Sequence, residues 1–215
     1  MAGTALDDFD LVIQTMATTI VDNADHFAQL DAVAGDGDFG FSLRNGFEVV
    51  VADYDTFDRT NPGTILKKIG FVISGKVGGV SGPIWGTAFM RAAAAAGDKA
   101  ALTSDDVIEI LRAAIAGIMH RGEASLGDKT LLDALVPAVD SLEESFKAGE
   151  DGSVALQKAA DVAVKAAEDT LGMLAMRGRA AYTGDRSRES VDAGATAIGV
   201  ILQAVSAAWR DRHPE

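Results

Sequence analysis

The chain has 215 residues, 48% of them hydrophobic and 24% charged, and a net charge of −13. That is the composition of a folded globule with a substantial core. It excludes an ordinary nucleic-acid binder, which needs a basic surface to release counterions from phosphate. With no cysteine, disulfides, thiolate zinc sites and cysteine nucleophiles are also excluded. The N-terminal stretch MAGTALDDFD is acidic where a secretory signal is basic and then apolar. No uncharged apolar run reaches the ~20 residues of a membrane span. These features fit a cytoplasmic protein of one domain, residues 1–215, with neither nucleic acid nor membrane among its partners. Abundant alanine and only four prolines favour closely packed helices.

Phe9, Val12, Ile13, Met16 and Ile20 recur at spacings of three and four, which predicts an amphipathic helix running to about Phe27. It leads into Asp31-Ala-Val-Ala-Gly-Asp36-Gly-Asp38-Phe-Gly40. Neighbours two apart point to different sides of a helix, so Asp36 and Asp38 cannot share a helical face. Gly35, Gly37 and Gly40 disfavour a continuous helix, at about 1 kcal/mol each relative to alanine. The stretch reads as a tight loop in which three carboxylates converge. Oxygen-only ligands on a flexible loop suit Mg²⁺ or Ca²⁺ rather than zinc. Asp and Gly are also the ordinary residues of turns, so a plain turn is the competing reading. An EF-hand is excluded, because counting from Asp36 the twelfth position is Phe47 rather than Glu.

The next helix carries Leu43, Phe47, Val50 and Val51 inward, and Tyr54 to Asn61 is a polar connection. Asn61-Pro62 starts a third helix as N-cap and first helical residue; its buried stripe is Ile65, Leu66, Ile69 and Val72 or Ile73. Gly70 to Val77 approaches the phosphate-loop pattern, but Val77 replaces the required hydroxyl and a helix rather than a strand leads into it. The glycine-rich stretch 74–83 can hold phosphate differently. Ser81 can cap a helix with Pro83 in its first turn, leaving N–H groups from Gly78 to Gly82 at a positive helix end. Close helix packing is the alternative role for these glycines.

Ile84 to Ala96 is a fourth, alanine-rich helix. Thr103 or Ser104 caps a fifth with Val107, Ile110, Leu111, Ala114, Ile115 and Ile118 inward. After the polar loop 120–130, Leu131, Leu132, Leu135, Val136, Val139 and Leu142 define a sixth, with a kink expected at Pro137. Ser153 caps a seventh that reaches about Leu174. The polar loop from Arg177 to Arg188 gathers four arginines in an otherwise acidic chain; they either form a solvated face or meet anionic oxygens. Asp192 caps the last helix, along which Ile198, Ile201, Leu202, Val205 and Trp209 repeat. The expected fold is therefore all-α, an eight-helix up-and-down antiparallel bundle or barrel. The four unusual loops, 31–42, 74–83, 120–130 and 177–194, follow helices one, three, five and seven and so share one end. A metal-bridged polyphosphate at that end accounts for all four together.

Several ordered motifs run the length of the chain: Leu30-Asp31 with Gly35-Asp36-Gly-Asp38-x-Gly40, Gly78-Gly-Val-Ser81-Gly-Pro, Arg121-Gly with Gly127-Asp-Lys-Thr130, Gly178-Arg179-Ala-x-Tyr182 with Gly184-Asp-Arg-Ser187, and Asp192-Ala-Gly194-Ala-Thr. In these the chain resembles the L subunit of dihydroxyacetone kinase, the nucleotide-binding component of that enzyme. The resemblance implies an eight-helix antiparallel barrel with the nucleotide at one end. Asp31, Asp36 and Asp38 match carboxylates that hold two Mg²⁺. Phe39, Gly40, Phe41 and Ser42, with Gly79, Val80 and Ser81, match phosphate-binding positions. Gly122, Thr130, Leu131, Arg179, Asp192, Ala193 and Gly194 match the remaining contacts to ADP or ATP. Phe39 stands where the family often has His, and Ala193 where it often has Pro; the resemblance then implies that Phe39 lacks a polar group beside the phosphates.

The resemblance implies phosphoryl transfer to dihydroxyacetone or a similar short ketose bound by a histidine on a separate K subunit, with Arg179 as the catalytic group that stabilises charge. The chain's own His26, His120 and His213 lie in no substrate-binding motif. In one family mode captive ADP is recharged by a phosphoryl-carrier protein of the sugar phosphotransferase system; in the other ATP exchanges freely. The sequence leaves both open, along with the ketose and the oligomeric state, a homodimer included. Two rival functions use the same residues: a nucleotide-state regulatory partner of a transcription factor, and a metal-dependent phosphatase.

Overall fold

Residues 5–214 are described by the computed structural model. The first four residues of the acidic N-terminal stretch lie outside the described residues. Among the described residues the regular structure is helical throughout: α1 (Ala5–Asp22), α2 (Ala24–Ala34), α3 (Phe39–Asp53), α4 (Pro62–Lys76), α5 (Ser81–Ala96), α6 (Ser104–Gly122), α7 (Leu132–Lys147), α8 (Gly152–Glu168) and α9 (Ala193–Arg212), with 3-10 segments at Tyr54–Thr56 and Arg179–Glu189.

Local chemistry sets four of the starts. Asn61 accepts from the Thr64 amide at 2.9 Å with Pro62 following it. Thr103 and Asp106 form a reciprocal capping box at the start of α6. Asp192 accepts from the Ala195 amide at 2.7 Å and begins α9. Two expected caps belong to other residues. Asp151, not Ser153, caps α8, accepting from the Ser153 amide at 2.8 Å. Ser81 is the first residue of α5, behind Val80.

Larger differences lie at the first and last polar loops. The first helix does not stop near Phe27. It breaks at Asn23, whose side chain donates to the Thr19 carbonyl at 2.8 Å, and resumes as α2. Asp31 therefore sits in the last turn of a helix, and the loop is only residues 35–38. The arginine-rich loop is not open chain: it is a 3-10 run interrupted at Gly184, where φ is +57°. α8 ends at Glu168, short of Leu174. α7 continues unbroken through Pro137.

The helices close into a ring. α3 packs on α4, each helix from α4 to α9 packs on the next, α9 returns to α1, and α1 packs on α3. Counting α1 and α2 as one broken member, this is the eight-membered barrel expected. Phe47, Leu43, Ile65, Ile69 and Ile73 are fully buried in its core. Phe47 meets Trp85 edge-on at 6.0 Å between ring centres. Val51, expected inward, is 46% exposed, because it is one residue beyond the buried stripe of α3. No single helix among the described residues is long and apolar enough to cross a membrane.

Candidate functional site

At one end of the barrel the loops enclose a cavity of about 450 Å³. Its wall draws on every polar loop singled out in the sequence: Asp31, Asp36, Asp38 and Phe39; Gly79, Val80 and Ser81; Gly122, Thr130 and Leu131; and Arg179, Asp192, Ala193 and Gly194. Gly40, Phe41 and Ser42 lie behind this wall. Gly40 is buried where a Cβ would run into the Ala24 carbonyl of α2. Phe41 points outward under the Arg44 guanidinium, 5.0 Å from its ring centre. The Ser42 side chain is buried. Their contribution to the site is the first turn of α3, where the Gly40 and Phe41 N–H groups have no partner within the helix, while the Ser42 amide donates to the Asp38 carbonyl at 2.8 Å.

The acidic cluster is built by a helix end and a tight turn. Asp31 projects from the last turn of α2. Its carboxylate accepts from the Gly37 amide at 2.9 Å and the Phe39 amide at 3.4 Å, folding the turn back over itself. Gly37 lies at φ +75°, a conformation that disfavours a side chain. At Gly35 a Cβ would collide with the Asp31 carboxylate. Carboxylate oxygens of Asp31, Asp36 and Asp38 consequently all lie within 4.8 Å of one another. Desolvation, reinforced by the Asp31 charge, raises the Asp38 carboxyl above the usual range. Arg179 reaches across the cavity, pairing with Asp36 and standing 3.8 Å from Asp38. An all-oxygen set at this spacing fits a hard divalent cation.

The lining also has an apolar share, from Leu30, Ala34, Ile84, Trp85 and Ile118. Desolvation, opposed by the Ala195 amide, pushes the half-buried Asp192 carboxyl up to about 7; the neighbouring Asp133 charge adds to the rise. Arg177, one of the four arginines read as candidates to meet anionic oxygens, lines the cavity, as do two residues that sequence reasoning left without a role, Trp85 and Lys129. Lys129 was visible only as the third letter of a Gly-Asp-Lys-Thr motif. None of the three histidines lines it.

The DAK2 domain model matches residues 33–207. The chain belongs to the DAK2 domain family. It is 37% identical over 188 residues to the ADP-binding subunit of the PEP-dependent dihydroxyacetone kinase of Escherichia coli, covering 87% of this chain and 90% of that one. It is 33% identical over 199 residues to the ADP-binding subunit of PEP-dependent dihydroxyacetone kinase 2 of Listeria innocua, covering 92% of each. Among solved structures it resembles the dihydroxyacetone kinase of C. freundii in complex with AMP-PNP and Mg²⁺, with a TM-score of 0.72 and 26% identity. That match covers 91% of this chain, which spans about a third of the larger enzyme, 33% of its length.

Proposed function

We propose that this chain is the nucleotide-binding subunit of a dihydroxyacetone kinase, holding ADP or ATP in the cavity with two Mg²⁺ on Asp31, Asp36 and Asp38. The observation that carries this is the convergence of three carboxylates within 4.8 Å, in the wall of a cavity that also presents the glycine-rich backbone at 78–81 and the Arg179 guanidinium. When bound, the metal ions neutralise phosphate charge and align the transferred group.

The chain's own residues do the rest. Backbone N–H groups at the starts of α3 and α5, chiefly those of Gly40 and Phe41 within the stretch Phe39 to Ser42 and those at Gly79 to Ser81, face phosphate oxygens at positive helix ends. Arg179 supplies a positive charge for the transferred phosphoryl group. Gly122, Thr130, Leu131 and Asp192 to Gly194, with Ile84 and Trp85, shape the wall that takes the nucleoside. No side chain here serves as general base, and phosphoryl transfer of this kind needs none beyond positioning and charge.

The acceptor is dihydroxyacetone or a similar short ketose, carried by a separate K subunit whose histidine holds it. This fits the absence of His26, His120 and His213 from the cavity wall. It also fits relatives of nearly the same length being named as subunits. Recharging of bound ADP by a phosphoryl-carrier protein of the phosphotransferase system is the mode those PEP-dependent relatives favour. The reading carries a cytoplasmic location with it, where nucleotides and such carriers are found.

The test is to purify the protein without added nucleotide, unfold it and identify what is released. Stoichiometric ADP with magnesium supports a captive cofactor, and reversible ATP binding an exchanging one. A site that takes up neither overturns the proposal. Asp38→Ala is expected to lose metal-dependent ADP binding while keeping the helical circular dichroism of the parent. Sugar phosphate formed only with a K subunit distinguishes this subunit from a phosphatase, which turns over alone, and from a regulator, which makes none.

A further inference from the structure

Lys129 is a buried cation that the proposed phosphoryl chemistry does not use. It is only 4% exposed, although it forms part of the cavity wall. Its ammonium donates to the Met173 carbonyl at 3.2 Å, the Ser187 carbonyl at 2.5 Å and the Ser190 carbonyl at 2.7 Å. A lysine has three N–H donors, so all are taken by backbone and none is left for a ligand. Burial lowers its pKa, while the charge of Asp192 acts in the opposite direction. The residue also sits at φ +61°, a left-handed conformation that L-residues rarely adopt. Such a conformation persists where the surroundings demand it.

What those carbonyls bracket is the segment that bears the arginines. Met173 lies before it, Ser187 and Ser190 close it, and Arg177 and Arg179 lie between. The neighbour Asp128 reinforces the seam. Its carbonyl accepts from the Met176 amide at 3.0 Å and its carboxylate pairs with Arg177 at 2.9 Å. Nothing else buried in this wall carries a full positive charge into the segment's backbone. We infer that Lys129 is a positioning residue: its ammonium gathers the two ends of the arginine segment and so sets where Arg179 meets the carboxylates and a magnesium-bound nucleotide. This rests on the nucleotide-subunit reading, because the ligand it prepares for is the one proposed there.

Without cysteine in the chain, Lys129→Cys introduces a single thiol. Alkylating that thiol with 2-bromoethylamine in the unfolded protein, then refolding, restores an ammonium at nearly the original reach. Lys129→Met and unmodified Lys129→Cys are expected to bind Mg²⁺-ADP about tenfold more weakly than the parent, the scale of one lost charge-assisted anchor. Aminoethylation should bring binding back to within roughly threefold of the parent. Arg179→Ala should cost less in the Lys129→Met background than in the parent, since the two act through one geometry. Additive losses overturn the inference, as does a variant that refolds only when aminoethylated, which marks a fold staple. Should the parent itself bind no Mg²⁺-ADP, the subunit reading falls, and amide exchange decides the positioning role alone. Faster exchange confined to residues 173–190 in Lys129→Met upholds it; unchanged exchange there overturns it.

Discussion

The Arg179 guanidinium pairs with the Asp36 carboxylate across the mouth of the cavity and stands 3.8 Å from Asp38. It thus sits among the groups that a divalent cation would claim. It cannot at once neutralise Asp36 and Asp38 and face a phosphoryl group. Metal binding to the empty-handed protein must displace it, whereas a metal-nucleotide complex gives it a new anionic partner. Arg179→Ala should therefore bind Mg²⁺ alone more tightly and Mg²⁺-ADP more weakly. The gain for Mg²⁺ alone is a few-fold, since an exposed ion pair contributes only about 0.2–1 kcal/mol. Titration calorimetry with and without ADP reads both; changes of the same sign would refute the exchange.

Asp192 ties stability to pH. Burial pushes its carboxyl up to about 7 in the folded protein, against about 3.8 for an ordinary aspartate. Between those values the folded state holds a proton that the unfolded state has lost, so this group's contribution favours folding at low pH and declines as pH rises from about 4 to 7. The Asp133 carboxylate strengthens the effect, and Lys129 and the amides of Gly194 and Ala195 oppose it. Asparagine caps a helix as well as aspartate does. Asp192→Asn should thus keep α9 and lose less urea stability than the parent between pH 5 and pH 8. An equal loss in both proteins would count against the assignment.

Gly40 holds α3 against α2, since a Cβ there would strike the Ala24 carbonyl. A backbone atom cannot rotate aside as a side chain can. Gly40→Ala should cost about 1–3 kcal/mol of stability, the usual range for overpacking. It should also weaken Mg²⁺ binding, because α2 carries Asp31 and the loop entering α3 carries Asp36 and Asp38. Urea denaturation gives the first quantity and calorimetry the second. Full stability in the variant would mean that the two helices part without cost.

Tyr182 is 94% exposed and follows Arg179 by three residues, and Val80, 66% exposed, lines the cavity. If a partner must bring the ketose to the nucleotide, these apolar groups lie on its path. Tyr182→Ala is expected to leave ADP affinity within about twofold while lowering turnover with a K subunit severalfold, as truncated interface aromatics do. Turnover at the parental rate would remove Tyr182 from the contact surface.

Much of this site was legible in the chain. The caps at Asn61, Thr103 and Asp192 are local, needing only a side-chain oxygen and an amide two or three residues on, and all three begin helices as read. The spacing of apolar residues identified most of the buried stripes for the same reason. An even alternation of helices was enough to put the four polar loops at one end, which is where the cavity lies. Asp31 was misplaced because the break at Asn23 leaves no proline or glycine as a marker, and α2 continues on its packing against α3 and α9.

The arginine segment shows the limit most clearly. Its polar composition, with glycines at 178 and 184, has no helical period to read, so it looked like open chain. Its 3-10 path runs beside distant groups: Arg186 donates to the Ala32 carbonyl at 3.4 Å, and Ser187 is fully buried. Lys129 likewise gave no local sign of burial, since the carbonyls that satisfy it lie 44 to 61 residues away. The sequence by itself determined helix identity, caps and the set of acidic, glycine-rich and basic loops, because each depends on neighbours within a few residues. The convergence of the three carboxylates is local too, since a helix end and one tight turn bring them together within eight residues. Only the tertiary structure decided that Arg179 meets them and that Lys129 is caged, because each requires barrel closure to bring separate loops within hydrogen-bonding reach.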